Sequence, residues 1–357
     1  MTGEQVKSMS LLLGVLLFSW LLHSILYIPF IRLLYSWRFQ RLAQKTLDVF
    51  EKRTPIFDKL HKNKAGTPVG GGLLIIVLTT ILFPVAMLLL HYFWVPITAV
   101  YSMGSEIKIL LFTFVSFGLL GLVDDMKKTF VWFKERDFFG LRLRHKLILE
   151  IIIASIIGFW FVRDLKIDIF YVPILGVFHM GWWYIPSAAF IIIAFANAFN
   201  ITDGLDGLAS GVLMIALGAF WIISASILDT PLSLFIALWL GGLIAFLYFN
   251  IYPARIFLGD VGALSFGATF AVVGLLLGKT PALIVIGGVF VLEVTSSLLQ
   301  LLSKKFLGHK LFPVAPFHLW LQYKGWPEPK IVMRFWIISI VLALFGLWIA
   351  LLTKQSL

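Results

Sequence analysis
The sequence predicts an all-α, polytopic membrane fold of ten transmembrane helices, with both termini outside and its polar motifs on the cytoplasmic face. Three observations predict it. Hydrophobic residues make up 60% of the 357 and charged residues only 13%, a composition that excludes an ordinary soluble domain. The apolar residues fall into runs long enough to cross a bilayer, which takes about 20 residues per helix. Basic residues gather in alternate connections, as the bias of Lys and Arg toward the cytoplasm requires.

Taken in order, the runs cover 10 to 34, 70 to 93, 107 to 123, 146 to 163, 183 to 199, 207 to 227, 231 to 249, 262 to 278, 281 to 303 and 333 to 353. The first, from Leu11 to Tyr35, exceeds a signal-peptide core and lacks a small-residue cleavage site, so it reads as a retained helix. Two further apolar stretches, around Ile167 to Met180 and Trp94 to Met103, are interrupted by Asp, Pro or Gly and read as interfacial loops. Arg38 to Lys64, Lys127 to Lys146 and Lys304 to Lys330 hold most of the basic residues and define the cytoplasmic side. An even number of spans then leaves both termini outside. The net charge of +11 is explained by these loops, so the expected surroundings are a lipid bilayer and no nucleic acid. The absence of cysteine excludes disulfides and thiol chemistry. No repeat or soluble insertion is visible, and residues 1–357 read as one domain.

Every dense polar motif falls on the cytoplasmic connections. The richest is NAFNITDGLDGLASG, from Asn197 to Gly211, in which Asn197, Asn200, Asp203 and Asp206 recur every third residue. That spacing gathers oxygens on one helical face, and hard cations such as Mg²⁺ take carboxylate, amide, water and phosphate oxygens. Two Asp-Gly steps in four residues would also serve as a plain turn or cap. Earlier in the chain, His61-Lys-Asn-Lys-Ala-Gly-Thr-Pro leads into Gly70, Gly71 and Gly72 at a helix start. Glycines there permit close backbone approach to a phosphate, and Lys62 and Lys64 add charge.

The third helix ends in Gly121-Leu-Val-Asp-Asp-Met-Lys-Lys. Asp124 and Asp125 stand where the helix macrodipole disfavours acids, so they are candidates for a base and a metal ligand. Arg142, Arg144 and Lys146 follow, suited to guiding an anion. Asp260 lies between Gly259 and Gly262, in a segment that begins at Asn250 and includes Phe257. The last loop offers His318, Trp320 and Trp326. Glu293, inside a span, must be neutral, paired or facing a cavity. Five aspartates amid Lys and Gly-rich backbone suit phosphoryl transfer, which depends on positioning and charge neutralisation.

These motifs, with Asn250-Ile-Tyr-Pro-Ala-Arg-Ile-Phe-Leu-Gly-Asp-Val-Gly and Lys324-Gly-Trp-Pro-Glu-Pro-Lys-Ile-Val-Met-Arg-Phe-Trp, resemble bacterial phospho-N-acetylmuramoyl-pentapeptide transferases, the MraY translocases. These belong to the polyprenyl-phosphate N-acetylhexosamine 1-phosphate transferases. The resemblance runs from about residue 25 to the end. It implies a ten-helix enzyme of the bacterial inner membrane, usually a homodimer. Such an enzyme moves phospho-MurNAc-pentapeptide from UDP-MurNAc-pentapeptide to undecaprenyl phosphate, giving lipid I and UMP, with Mg²⁺ as cofactor.

By motif, the resemblance makes Asp124 the base with Asp125 beside it, and Asp260 a Mg²⁺ ligand. Asp203 and Asp206 would shape the metal and nucleotide pocket, with Asp203 as second ligand and Asn197 and Asn200 at the rim. Lys62, Thr67, Lys128 and Lys146 would lie near the diphosphate or nucleotide, Asn250 and Phe257 near the uracil, and His318 would keep a catalytic or phosphate-contacting role.

The resemblance leaves both direct attack and an aspartyl intermediate open. The family's Ala-Pro-Ile followed by three histidines is here Ala315-Pro316-Phe317-His318-Leu319-Trp320, the usual Thr-Met is Val69-Gly70, and the usual Ser after Asp-x-Gly is Ala263. The missing imidazoles keep a transferase for another UDP-N-acetylhexosamine in view, together with a catalytically idle relative. A transporter would place polar residues deep in its spans and show repeat symmetry; this chain puts its acids at helix ends.

Overall fold
The structure is a computed structural model that describes residues 3–41, 64–93, 95–129, 141, 143–172 and 175–352. In chain order its elements are α1 (Gly3–Ser36), α2 (Gly71–Tyr92), α3 (Met103–Thr129), α4 (Leu143–Asp164), the strands β1 (Ile169–Val172) and β2 (Gly176–His179), α5 (Tyr184–Thr202), α6 (Leu208–Ser226), α7 (Thr230–Asn250), α8 (Gly259–Leu276), α9 (Thr280–Ile286), α10 (Gly288–Leu302), α11 (Phe317–Tyr323) and α12 (Glu328–Leu352). Among the described residues nine helices are long and apolar enough to cross a membrane, or ten when the bent pair of α9 and α10 is counted as one span.

Two details differ from the sequence expectation. The run 281 to 303 is not one straight helix: α9 and α10 meet at 77°. The break falls at Gly287 and Gly288, and a Cβ at Gly287 would lie 2.6 Å from the Phe195 ring and 3.0 Å from the Leu283 carbonyl. Glycine pairs are ordinary sites of helix kinks. The stretch after α4 is likewise more than loop, forming an antiparallel hairpin with Ile169 opposite His179 and Val172 opposite Gly176. Elsewhere the helices begin and end within a few residues of the hydropathy boundaries, with α3 extending to Thr129 and α12 starting at Glu328.

Helices α7 and α8 form the centre. Their apolar windows are 89% buried inside the protein, against 22% for α1 and 28% for α12, whose apolar faces are left for lipid. Around α7 and α8, Phe114, Phe235, Trp239 and Phe266 pack ring against ring at centroid distances of 5.3 to 6.0 Å, geometry that adds to their area burial. Close helix approach at one end depends on glycine. A Cβ on Gly121 would sit 2.1 Å from the Asp260 carbonyl oxygen, and one on Gly72 only 2.3 Å from the Gly262 Cα. These contacts clamp α2 and α3 onto the start of α8.

Because the spans alternate in direction, that end of the bundle collects the C-terminal ends of α3, α5 and α7 and the N-terminal ends of α4, α6 and α8. Every acid-rich motif of the sequence is carried there.

Candidate active site
At this end a cavity of about 220 Å³ is lined by Gln40, Arg41, Asp125, Lys128, Asn200, Asp203, Asp206, Asn250, Phe257 and Asp260, among others. Its floor is backbone. Residues 39–41 run antiparallel to 67–69, with Val69 donating to the Phe39 carbonyl and Arg41 to that of Thr67. On its other side the same Gly-rich strip binds residues 257–258, through Phe257 N–H to Pro68 O and Gly71 N–H to Phe257 O. Gly70 makes the turn into α2 with φ 97°, a left-handed conformation that suits glycine.

One wall is a charge network. Lys128 Nζ lies 2.9 Å from both Asp124 Oδ2 and Asp260 Oδ2, and Lys146 Nζ lies 2.9 Å from Asp260 Oδ2 and 3.4 Å from Asp124 Oδ2. Two carboxylates are thus neutralised by two ammoniums from the ends of α3 and α4. The backbone N–H of Leu141 donates to Asp124 Oδ1 at 2.6 Å. Asp125 turns the other way and accepts the N–H groups of Asp260 at 3.1 Å and Val261 at 2.9 Å. A carboxylate that opposes the dipole of its own helix is therefore used at the N-terminus of α8, where it satisfies donors and favours negative charge.

The opposite wall is the turn between α5 and α6. Asp206 accepts from Lys64 Nζ at 2.7 Å and from Ala254 N–H at 3.0 Å. Lys64 also pairs with Glu328 at 2.6 Å, and Glu328 accepts the Asp206 N–H at 2.6 Å. Burial, followed by the negative charge of Asp260, pushes the Asp203 carboxyl up to about 7, with Lys64 and Arg41 pulling the other way. Burial lowers the Arg41 guanidinium from its usual range, against the pull of Asp203, Asp206 and Asp260. Arg41 and Lys64 both lie over the Phe257 ring, at 5.7 and 5.9 Å from its centroid.

The residues singled out in the sequence divide accordingly. Asp125, Asp203, Asp206, Asp260, Lys128, Asn200, Asn250 and Phe257 meet at the cavity, and Asp124 and Lys146 join it through the ion pairs. Asn250 is held on all sides, accepting from Gly207 N–H and Ser210 Oγ and donating to the Ile256 carbonyl. Asn197 points away from the rim and donates to Glu150 at 2.7 Å. Thr67 contributes its carbonyl to the floor. Lys62 lies outside the described residues; from that loop it is Lys64 that reaches the site. His318 is buried behind the turn, its ring against Gly204 and its Nδ1 2.9 Å from Glu293 Oε2. Arg41, Glu150 and Glu328 were not singled out as site residues. Only Glu328 carried a signal, its place in the Lys-Gly-Trp-Pro-Glu-Pro motif.

Comparison with known proteins follows the same lines. Residues 107–278, from α3 to just beyond α8, match the family model described as glycosyl transferase family 4. The chain is 35% identical over 294 residues to the phospho-N-acetylmuramoyl-pentapeptide-transferase of Bacillus anthracis (strain A0248), covering 82% of this chain and 86% of the relative. It is also 35% identical over 297 residues to the enzyme of that name from Bacillus mycoides (strain KBAB4), with the same coverage.

The chain belongs to the phospho-N-acetylmuramoyl-pentapeptide transferase family. The segment matching glycosyl transferase family 4 carries both ion-paired walls of the cavity except Lys64 and Glu328. Those two come from outside it and reach the cavity wall through Asp206, from the first and last polar loops.

Proposed function
We propose that this protein transfers phospho-MurNAc-pentapeptide from UDP-MurNAc-pentapeptide to undecaprenyl phosphate, giving lipid I and UMP, at the cytoplasmic face of a bacterial inner membrane, as a homodimer. The observation that carries the reading is the pairing of Asp124 and Asp260 with Lys128 and Lys146 at the edge of a cavity that Asp203 and Asp206 close from the other side. Two anionic reactants need neutralising cations and a proton acceptor in one place, and phosphoryl transfer needs little else.

Lys128 and Lys146 are placed to bind the donor's diphosphate. As its oxygens take up the ammoniums, Asp124 Oδ2 is released from its ion pairs to accept the proton of the lipid phosphate. An oxygen of that phosphate then attacks the phosphorus attached to the sugar, the bond from this phosphorus to the oxygen of the uridine phosphate breaks, and UMP leaves. Direct attack is favoured over an aspartyl intermediate because it needs only alignment and a base, and because both oxygens of Asp125 are committed to backbone N–H groups.

The carboxylates suit a hard cation. Burial and, after it, the nearby charge of Asp260 raise Asp203, and a divalent ion between the two would relieve their repulsion. The ion expected is Mg²⁺, which keeps water and substrate phosphates in its shell. Asp260 and Asp203 would hold it. When bound it would neutralise charge on the diphosphate as that bond splits.

The test is turnover in detergent with undecaprenyl phosphate and labelled UDP-MurNAc-pentapeptide, run against labelled UDP-GlcNAc. The expected result is UMP release and a labelled lipid product from the muramoyl donor. Turnover of UDP-GlcNAc alone would move the protein to another branch of the superfamily. Uptake into sealed vesicles without UMP release would make it a transporter.

A further inference from the structure
Among the described residues Arg41 is the basic residue of the cavity lining that has no carboxylate in ion-pair reach. Lys128, the other one, is shared by Asp124 and Asp260. Beyond the lining, Lys64 pairs with Asp206 and Glu328, and Lys146 with Asp124 and Asp260. The Arg41 guanidinium has the face of Phe257, whose ring centroid lies 5.7 Å away. Asp203, Asp206 and Asp260 attract it across the cavity, but no described side chain accepts its N–H groups. The backbone that carries it is pinned. Arg38 turns the chain at the end of α1 with φ 55°, and the Arg41 peptide groups are held by Thr67 O and Gly66 N–H, both at 2.9 Å. The guanidinium thus stands on a fixed strand at the floor of the cavity.

A guanidinium drawn partly out of water without acceptors is costly, and its planar fork of N–H groups matches two oxygens of one phosphate. We infer that Arg41 binds the phosphate that stays on the nucleotide and stabilises it as UMP leaves. Position selects that phosphate over the one attached to the sugar. The reacting phosphorus belongs at the wall of Asp124, Lys128 and Lys146, where the proton acceptor is. Arg41 rises instead from the floor beside Phe257, on the strip that joins residues 67–69 to 257–258. When the bond from the sugar-bearing phosphorus to the bridging oxygen breaks, its electron pair goes to that oxygen, and the nucleotide's phosphate gains a negative charge. Lys128 and Lys146 are shared with Asp260, whereas Arg41 has its full charge to offer, in a place where no rearrangement is needed to deliver it. The inference rests on the proposed transfer and adds to it the residue that holds the leaving group.

The test is isothermal titration of the full-length protein in detergent with UMP and with uridine, for wild type, Arg41→Lys and Arg41→Gln. Wild type is expected to prefer UMP to uridine by roughly tenfold or more. Arg41→Gln is expected to weaken UMP binding roughly ten- to hundredfold, to leave uridine binding within about twofold, and to melt close to wild type. Lysine restores a point charge without the fork, so Arg41→Lys is expected to recover part of the lost affinity, and it carries the test where Arg41→Gln fails to fold. An equal loss of UMP and uridine binding would mean that Arg41 only supports Phe257 and would overturn the inference, as would a wild-type preference for UMP in both variants.

Turnover gives a second readout. Because the charge on that phosphate grows as the bond breaks, Arg41→Gln is expected to lower kcat as well as to raise KM for the donor. A raised KM with unchanged kcat would confine Arg41 to binding the intact donor and overturn its part in leaving-group stabilisation. Wild-type protein that binds neither UMP nor UDP would overturn the proposed reaction, and the inference would fall with it. Wild-type protein that releases UMP, with variants that keep its full affinity, would overturn the inference alone.

Discussion
The molecule buries carboxyl groups at both ends of its helix bundle, and the two ends treat them in opposite ways. At the cavity, Asp124 and Asp260 share two lysines at 2.9 to 3.4 Å. At the far end, Glu106 near the start of α3 and Asp229 before α7 are just as deeply buried. They stand beside each other and Tyr101, and among the described residues neither has a lysine or arginine in ion-pair reach. Charge balance separates them. A buried acid in a membrane protein is a functional candidate by default; Glu106 and Asp229 differ from Asp124 and Asp260 in lacking the shared lysines.

The sharpest way to break this contrast is Asp124→Asn. It removes the proposed proton acceptor while Asp260 keeps both lysines, so turnover is expected to fall by about 10² to 10⁴-fold with donor binding largely retained. Near-normal turnover, measured with labelled donor alongside UMP binding, would remove Asp124 from the chemistry. Next in size, Asp260→Ala is expected to eliminate activity or raise the Mg²⁺ requirement. An unchanged metal dependence of the remaining rate would count against ligation. Lys146→Met leaves two carboxylates sharing one ammonium. Breaking a buried pair from one side typically costs about 3–5 kcal/mol, so this variant is expected to melt at a lower temperature in detergent as well as to turn over slowly. A stable, slow variant would place Lys146 in substrate binding without a structural share.

These residues were legible because acids stand out in an apolar chain. Asp124, Asp125, Asp203, Asp206 and Asp260 sit at span ends, where hydropathy changes and glycines cluster, and no knowledge of the tertiary fold was needed to single them out. What escaped is what long-range packing creates. Lys64 and Glu328 are 264 positions apart, and nothing local to either marks the ion pair. Asn197 shares its three-residue spacing with Asn200, but the helix ends at Thr202. Asp203 and Asp206 therefore lie in a turn, and Asn197 is rotated to Glu150. The ten apolar runs were likewise plain, while the 77° break was not, because hydropathy averaged over a window carries no direction.

The altered histidine loop gives a smaller effect. Leu319 is almost fully buried, and Trp320 packs against Phe312 and Phe317 with the Lys324 ammonium over its ring at 4.0 Å. Leu319→His places a polar ring where an aliphatic side chain is packed, so a loss of roughly 1–3 kcal/mol in stability is expected. Trp320→His is expected to be milder and is the better probe of whether the missing imidazoles relaxed donor recognition. Improved turnover of the muramoyl donor in Trp320→His would show that they had; no change with any sugar nucleotide tested would make the substitution neutral.

The smallest expected effect comes from the far end and tests the contrast from its other side. Burial pushes the Asp229 carboxyl up to about 6, against hydrogen bonds from the backbone N–H of Leu232, the side chain of Glu106 and the backbone N–H of Val100. A carboxyl whose folded value is raised binds more protons in the folded state than in the unfolded one between its ordinary range and about 6. Stability from this group is therefore greatest below pH 4, declines as pH rises through that window, and stays at its lowest above it. Asp229 also caps α7, with Oδ1 3.3 Å from Leu232 N–H, and a negative charge at a helix N-terminus is worth about 0.3–1 kcal/mol. The cost of burying that charge opposes this and, with the carboxyl raised from its ordinary range to about 6, is the larger of the two. Asp229→Asn keeps an oxygen to accept from Leu232 and removes the charge. At pH 7.5 it is expected to melt a few degrees above wild type, and between pH 4 and 6 its melting temperature should vary less with pH, with turnover within about twofold of wild type. A fall in melting temperature would mean that the helix dipole and the hydrogen bond from Glu106 outweigh the cost of burial. A large fall in turnover would mean that the far end is coupled to the cavity after all, and the contrast between the two pairs of buried acids would not hold.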